Sequence, residues 1–326
     1  MAHVVIFAPS PLLTVTVEEH PDGGDVHVHA GGQGVWQARM LLRLGVRVTM
    51  CSVLSGEGGG VIRHLLDDEG IGVIAVEREA RGAAYVHDRR DGERVPLIES
   101  DGDPLSRHDL DELYGLTLRE GLGGDLVILS GPAGKDALPP DVYRRLAADF
   151  RSNDRRVVVD LAGERLRAAL EGGVAVAKVS DEELLADGRV SERATGQIVD
   201  AMRAIRDEGA ETVIVTRSRE PLLMLAGDEF TEVTPPTMEV TDTRGAGDSL
   251  TAGVASSLAA GESIAEAILV GAAAGALNVT RHGLGTGDAE AIEALRGRVS
   301  ARPFATTPEP GENVSPAGLA ARVEEK

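Results

Sequence analysis

The sequence predicts a doubly wound α/β fold, a mostly parallel sheet flanked by helices, with a small antiparallel β lid. Three observations carry this expectation. Short, continuous apolar runs alternate with segments of helical period, as strands buried on both faces and joined by crossover helices do. Two other stretches alternate apolar and polar residues, the pattern of strands with one wet face. The 326 residues are 42% hydrophobic and 26% charged, which suits a soluble globule with a sizeable core. With only four Phe, three Tyr and one Trp, that core must be packed with Val, Leu, Ile and Ala.

Val4–Ala8 reads as the first strand. Val35–Leu44 reads as a helix, with Val35, Ala38, Leu41 and Leu42 on one face and Gly45 as its stop. Val46–Val53 is a strand and Val61–Asp68 a helix ended by Glu69-Gly70. Further along come strands at Leu126–Ser130, Val157–Leu161, Val174–Val179 and Thr212–Thr216, with helices at Asp141–Phe150 and Gln197–Glu208. The alternating stretches are Asp25–Ala30, with Val26, Val28 and Ala30 opposite Asp25, His27 and His29, and residues 73–98 with a turn at Asp91-Gly92. They are expected outside the main sheet, as lid strands within about 14–30 and 73–98. One domain is expected over 1–303. The Pro-, Glu- and Ala-rich segment 304–326 lacks periodicity and is expected to be disordered.

The net charge of −20 disfavours nucleic acid and anionic membranes as partners. No apolar run approaches the roughly 18–20 residues that span a bilayer, and the N-terminus lacks the basic region of a signal peptide. The single cysteine, Cys51, cannot form an internal disulfide and reads as a small buried strand residue in a cytoplasmic protein. His27 and His29 stand at a spacing that could ligate a metal, but no third ligand follows, so solvent exposure or an oligomer contact is expected.

The chemistry-bearing segment is Thr241-Asp242-Thr243-Arg244-Gly245-Ala246-Gly247-Asp248-Ser249-Leu250. Leu250, Val254 and Leu258 recur every four residues, so a helix begins at about Asp248. A Gly-Ala-Gly turn leading into a helix aims unpaired backbone N–H groups outward and, with the helix dipole, forms a seat for phosphate. A carboxylate beside that seat could accept the proton of an attacking hydroxyl. The same residues also suit a plain helix start with Asp248 as N-cap. Rival phosphate motifs are missing: Pro9-Ser10-Pro11 follows the first strand where a dinucleotide fingerprint would stand, and Gly134-Lys135 is followed by Asp136, not Ser or Thr. There is no G-x-S-x-G elbow.

Asp242 to Ser249 resembles the C-terminal signature of the ribokinase-like (PfkB) carbohydrate kinases, and Gly31-Gly32-Gln33-Gly34 resembles their N-terminal Gly-Gly signature. The order of landmarks agrees along about 300 residues: Ser130-Gly131, Asp160, Lys178 with Glu182-Glu183-Leu184, then Val215-Thr216. Pro9-Ser10-Pro11-Leu12-Leu13 and Thr280 to Gly287 are most similar to the phosphosugar branch, that of 1-phosphofructokinase and tagatose-6-phosphate kinase. The resemblance implies an ATP- and Mg²⁺-dependent kinase. Asp248 would be the base, and the amides of Gly245, Ala246 and Gly247 would stabilise the moving phosphoryl group. Thr216, Arg217, Ser218 and Arg219, with Ser180 and Asn278, would serve the nucleotide, and Glu183 the magnesium. Gly31, Gly32, Gln33, Trp36, Thr14 and Arg81 would line the acceptor site, with Arg81 on the substrate's existing phosphate. A homodimer through lid strands is implied as well.

This sequence departs from the branch at the acceptor. Thr14 stands for an Asp, Gln33 for a Lys and Trp36 for an Asn, while Ser180 replaces an Asn and Ser218 a Gly near the nucleotide. Sites built to pair a hydroxyl discriminate strongly, so such exchanges change the substrate. Trp36 could stack on a sugar or fill space beneath the lid. Two further readings stand beside the sugar or phosphosugar kinase: a catalytically weak metabolite sensor, and a kinase for a nucleoside or another non-sugar alcohol.

Overall fold

The computed structural model describes residues 1–134, 137–218, 220–280 and 285–304. The chain opens with β1 (His3–Phe7), β2 (Leu12–His20) and β3 (Gly23–Gly31), then α1 (Gln33–Arg43), β4 (Arg47–Ser55), α2 (Gly56–Asp68) and β5 (Gly72–Arg78). Next come β6 (Ala83–Asp88), β7 (Val95–Ser100), α3 (Arg107–Leu122), β8 (Leu126–Ser130), α4 (Asp141–Ser152), β9 (Val157–Asp160) and α5 (Gly163–Gly172). They are followed by β10 (Val174–Ser180), α6 (Asp181–Ala186), α7 (Thr195–Glu208), β11 (Ala210–Arg217), β12 (Glu220–Ala226) and β13 (Glu229–Thr234). The last described elements are α8 (Ala246–Ala259), α9 (Ile264–Asn278), α10 (Ala289–Arg296) and β14 (Ser300–Pro303).

The main sheet has the order β14-β13-β12-β11-β10-β9-β8-β1-β4-β5. From β5 to β11 every pair is parallel; β12, β13 and β14 extend the sheet antiparallel. Successive side chains of one strand feed opposite cores. Val5 and Phe7 join Tyr143, Leu146 and Phe150 on one face, while Val4 and Ile6 join Met40, Leu41 and Leu66 on the other. This explains the unbroken apolar runs. Strand order reverses at β1, which lies between β4 and β8, and in such sheets ligands bind at the carboxyl ends of strands beside the reversal.

The small sheet, β3-β2-β6-β7, is the lid. Its β2–β6 pair is parallel, the other two antiparallel. Residues 73–78, expected in the lid, instead lie in β5, which pairs with β4 at the edge of the main sheet. An edge strand of a parallel sheet also has a wet face, so period-2 alternation does not separate the two locations. The alternation of β3 is present, but burial follows it only in part. Val26 and Val28 are 57% and 42% exposed while Ala30 on the same side is buried, and on the polar side Asp25 and His27 are exposed while His29 is half-buried. The 304–326 segment falls outside the described residues except for Phe304, which packs on the core and donates its N–H to Phe230 O at 2.8 Å.

Helices α8 and α9 lie so close that only glycine fits between them. A Cβ on Gly253 would stand 2.7 Å from Gly271 Cα and 2.9 Å from its N. Gly253→Ala is therefore expected to lower stability by about 1–3 kcal/mol, the usual cost of overpacking, read as a lower urea midpoint at unchanged m-value.

Candidate active site

The Thr241–Gly247 turn stands over the carboxyl ends of β9 and β10. Gly245, at φ +72°, adopts the left-handed conformation that only glycine takes without strain, and it is the N-cap of α8. No side chain caps the helix. Asp248 is thus inside the first turn and not the cap, which removes the plain capped-helix explanation of this residue. It is 9% exposed. Burial and the nearby Asp160 carboxylate hold its carboxyl well above the usual range, against the pull of the Lys178 ammonium.

Beneath the turn lies a buried polar knot. Lys178 Nζ donates to Asp160 Oδ1 at 3.0 Å, and Thr251 Oγ1 donates to Asp160 Oδ2 at 2.9 Å. Gln37 Nε2 reaches the same oxygen at 3.5 Å, while Gln37 Oε1 accepts from Ser130 Oγ. Strand ends β8, β9 and β10 are thereby tied to α1 and α8. A Cβ on Gly247 would come within 2.7 Å of Lys178 Nζ, so glycine there lets the turn settle onto a buried cation. Asp160 and Lys178 were visible in the sequence only as landmarks. Gln37 and Thr251 were not singled out, although Gln37 lies one helical turn after Gln33 and Thr251 one turn after Gly247.

On the acceptor side, Gly31 abuts Thr14: a Cβ there would lie 2.5 Å from Thr14 Oγ1. Gly32, at φ +104°, starts α1, and Gln33 Oε1 accepts from Gly131 N at 2.7 Å, joining that helix to the end of β8. Thr14 is buried. Trp36 is half-buried, and its indole N–H is buried without a hydrogen-bond partner. Arg81 stands apart: its side chain is 80% exposed and its fork closes on Asp103 Oδ1 at 3.0 and 2.7 Å.

Among the residues assigned to nucleotide, Thr216 lies near the end of β11 and Ser218 just beyond it, at φ +38°, a left-handed conformation that favours glycine. Arg217 departs from the expectation. It is buried and fully engaged, with Glu220 at 3.0 Å, Pro221 O at 2.6 Å and Thr195 Oγ1 at 3.2 Å, so it braces the β11–β12 hairpin. Asn278 is also taken: its Nδ2 donates to Arg244 O at 2.7 Å and its Oδ1 accepts from Gly285 N at 3.2 Å, which holds the turn from behind. Arg219 lies outside the described residues, as do 281–284 of the Thr280–Gly287 segment. Ser180 and Glu183 form the capping box of α6, with Ser180 N donating to Glu183 Oε2 at 2.7 Å. No group of three or more potential metal ligands occurs among the described residues. Glu183 fits a magnesium ion that keeps its waters and substrate phosphates, the usual manner for Mg²⁺, because only Oε2 is spent on the cap.

A glycine turn at the carboxyl edge of a parallel sheet, with a buried carboxylate beside it, defines a candidate phosphoryl-transfer centre. Comparison with known proteins narrows that class. Residues 4–291 match the profile described as pfkB family carbohydrate kinase, and the chain belongs to this family, whose members are phosphotransferases with an alcohol acceptor. The chain is 26% identical to the 1-phosphofructokinase of Bacillus subtilis over 297 residues, covering 88% of this chain and 95% of that protein. It is 28% identical to the ATP-dependent 6-phosphofructokinase isozyme 2 of Escherichia coli over 294 residues, covering 86% and 93%. The crystal structure of phosphofructokinase-2 from Escherichia coli in complex with potassium superposes with a TM-score of 0.80 at 24% identity, over 91% of this chain and 99% of that one.

Proposed function

We propose that this carbohydrate kinase transfers the γ-phosphoryl group of ATP to a hydroxyl of a sugar or phosphosugar, as a 1-phosphofructokinase does. The observation that carries the proposal is Asp248, buried at the head of α8 beside an uncapped glycine turn. Asp248 takes the proton of the acceptor hydroxyl as its oxygen bonds to the γ-phosphorus and the bond to ADP breaks. The Gly245, Ala246 and Gly247 amides receive the charge of the moving group, and Lys178 lies behind them as a fixed cation. Thr216 and Ser218 border the nucleotide. Glu183 would hold a magnesium ion, which when bound neutralises phosphate charge. Gly31, Gly32, Gln33, Thr14 and Trp36 wall the acceptor.

No described helix is long and apolar enough to cross a membrane, which agrees with a cytoplasmic enzyme. A homodimer is supported by the outward face of the lid, where Val26, Val28 and Ile98 are exposed. ADP release across fructose 1-phosphate, fructose 6-phosphate, tagatose 6-phosphate, free sugars and nucleosides tests the activity. Turnover on a sugar or phosphosugar is expected. Turnover on nucleosides alone would replace the acceptor class, and ligand-dependent stabilisation without any ADP release would make the chain a metabolite sensor.

A further inference from the structure

Helix α1 carries an exception to its own pattern. Its buried face is made of Gly34, Val35, Ala38, Met40 and Leu41, yet Gln37 sits among them with no exposure at all. A primary amide is costly to bury unless both its ends are paired, so its partners are informative. Gln37 meets a row of side chains that three parallel strands set side by side. Ser130 of β8 is in register with Asp160 of β9, which is in register with Lys178 of β10. Gln37 Oε1 accepts from Ser130 Oγ, which turns Nε2 toward Asp160 Oδ2 at 3.5 Å. The reverse orientation would set the amide oxygen against a carboxylate.

Both oxygens of Asp160 lead to the catalytic turn, and one of them leads back to α1. Oδ1 takes the Lys178 ammonium at 3.0 Å, and Lys178 Nζ lies directly beneath Gly247. Oδ2 is shared by Gln37 and by Thr251 of α8 at 2.9 Å, whose hydroxyl also stands 3.0 Å from Gly247 O. At the other end, α1 begins in the acceptor wall with Gln33, whose Oε1 accepts from Gly131 N. Two glutamines one helical turn apart therefore grip consecutive residues at the end of β8. The charges they steady act on Asp248, whose carboxyl is raised by burial and by Asp160 and lowered by Lys178.

We propose that Gln37 is a positioning residue of the phosphoryl-transfer centre: from the acceptor helix it holds the Asp160 carboxylate, and through Asp160 it fixes Lys178 and the Gly247 turn relative to the acceptor. This rests on the kinase function proposed above. Fully buried, Gln37 works only through Asp160. Without its N–H the carboxylate is free to turn on its two remaining donors, and a misplacement of about 1 Å in such a centre costs up to about 10²-fold in rate.

The test uses the full chain as wild type, Gln37→Met and Gln37→Met/Ser130→Ala. Methionine keeps the volume and removes both hydrogen bonds, and alanine at 130 removes the hydroxyl that the single variant strands. Gln37→Met is expected to lower kcat about ten-fold or more, with KM for ATP and acceptor within about three-fold of wild type. The double variant should regain the urea midpoint but not kcat, a split that a packing role would not produce. Crystal structures of both variants should show the Asp160 carboxylate turned off Lys178 or Thr251. If the single variant does not fold, the double variant carries the same readings. A kcat within about two-fold of wild type, a kcat that recovers together with stability, or an Asp160 that stays in place would each overturn the proposal. Because the geometry is read apart from ADP release, the two ideas fail separately. Absence of wild-type turnover on every acceptor removes the kinase, while a displaced Asp160 in the variants still upholds the hold of Gln37 on the pair.

Discussion

Asp248→Asn is expected to lower kcat by about two to four orders of magnitude, the usual contribution of a positioned general base, with little change in nucleotide affinity because the backbone amides remain. The same variant is expected to be more stable than wild type above neutral pH. The folded-state pKa of Asp248 lies above its unfolded value, so the folded protein binds the extra proton and loses stability as pH rises from the unfolded pKa to the folded one. Above the folded pKa the full penalty of a buried carboxylate persists, and asparagine removes it. A Tm gain of about 2–4 °C for each kcal/mol recovered is expected at pH 8 and none near pH 3.5. In wild type, kcat/KM should rise with pH through neutrality as the base ionises. A flat profile, or near-normal turnover of the variant, would remove Asp248 from the role.

The second large effect is expected at Lys178. Lys178→Met leaves the Asp160 carboxylate buried with Thr251 and Gln37 but no cation, and breaking one side of a buried pair costs about 3–5 kcal/mol. Urea unfolding monitored by circular dichroism reads this directly. The double variant Asp160→Asn/Lys178→Met should recover most of the loss, since it leaves no unpaired charge. A single variant within 1 kcal/mol of wild type would mean that water reaches Asp160 easily.

Much of the frame was legible because it rests on period and punctuation. Buried parallel strands need apolar residues on both faces, so Val4–Ala8 and Leu126–Ser130 announced themselves, and the glycine turn before α8 followed from its helix. What stayed hidden depends on facing and company, which a linear sequence does not carry. Helix α2 starts at Gly56, five residues before the expected Val61, because tertiary contact overrides the low propensity of Gly58, Gly59 and Gly60. The lid valines looked buried because alternation gives two faces but not which one meets the protein. Arg81 and Arg94 are both arginines near alternating strands. Only the fold shows that Asp103 claims the first and that the second hangs over the catalytic turn. Asn278 is assigned to the nucleotide by resemblance alone, and only the fold shows that it also props the turn through Arg244 O and Gly285 N.

The glycine seam between α8 and α9 has a consequence for where this protein can move. Almost every residue of α8 from Asp248 to Leu258 is buried, and its backbone is pressed against α9 without side chains to slide on. Amides there should exchange with solvent only through openings close to global unfolding, whereas the lid, with its valines in water and few apolar contacts, belongs to the low-stability end. The half of the cleft that carries the phosphoryl group is stiff, and the half that receives the acceptor is compliant. A lid residue such as Thr14 can therefore change, and substrate choice with it, without disturbing the turn where the phosphoryl group is seated.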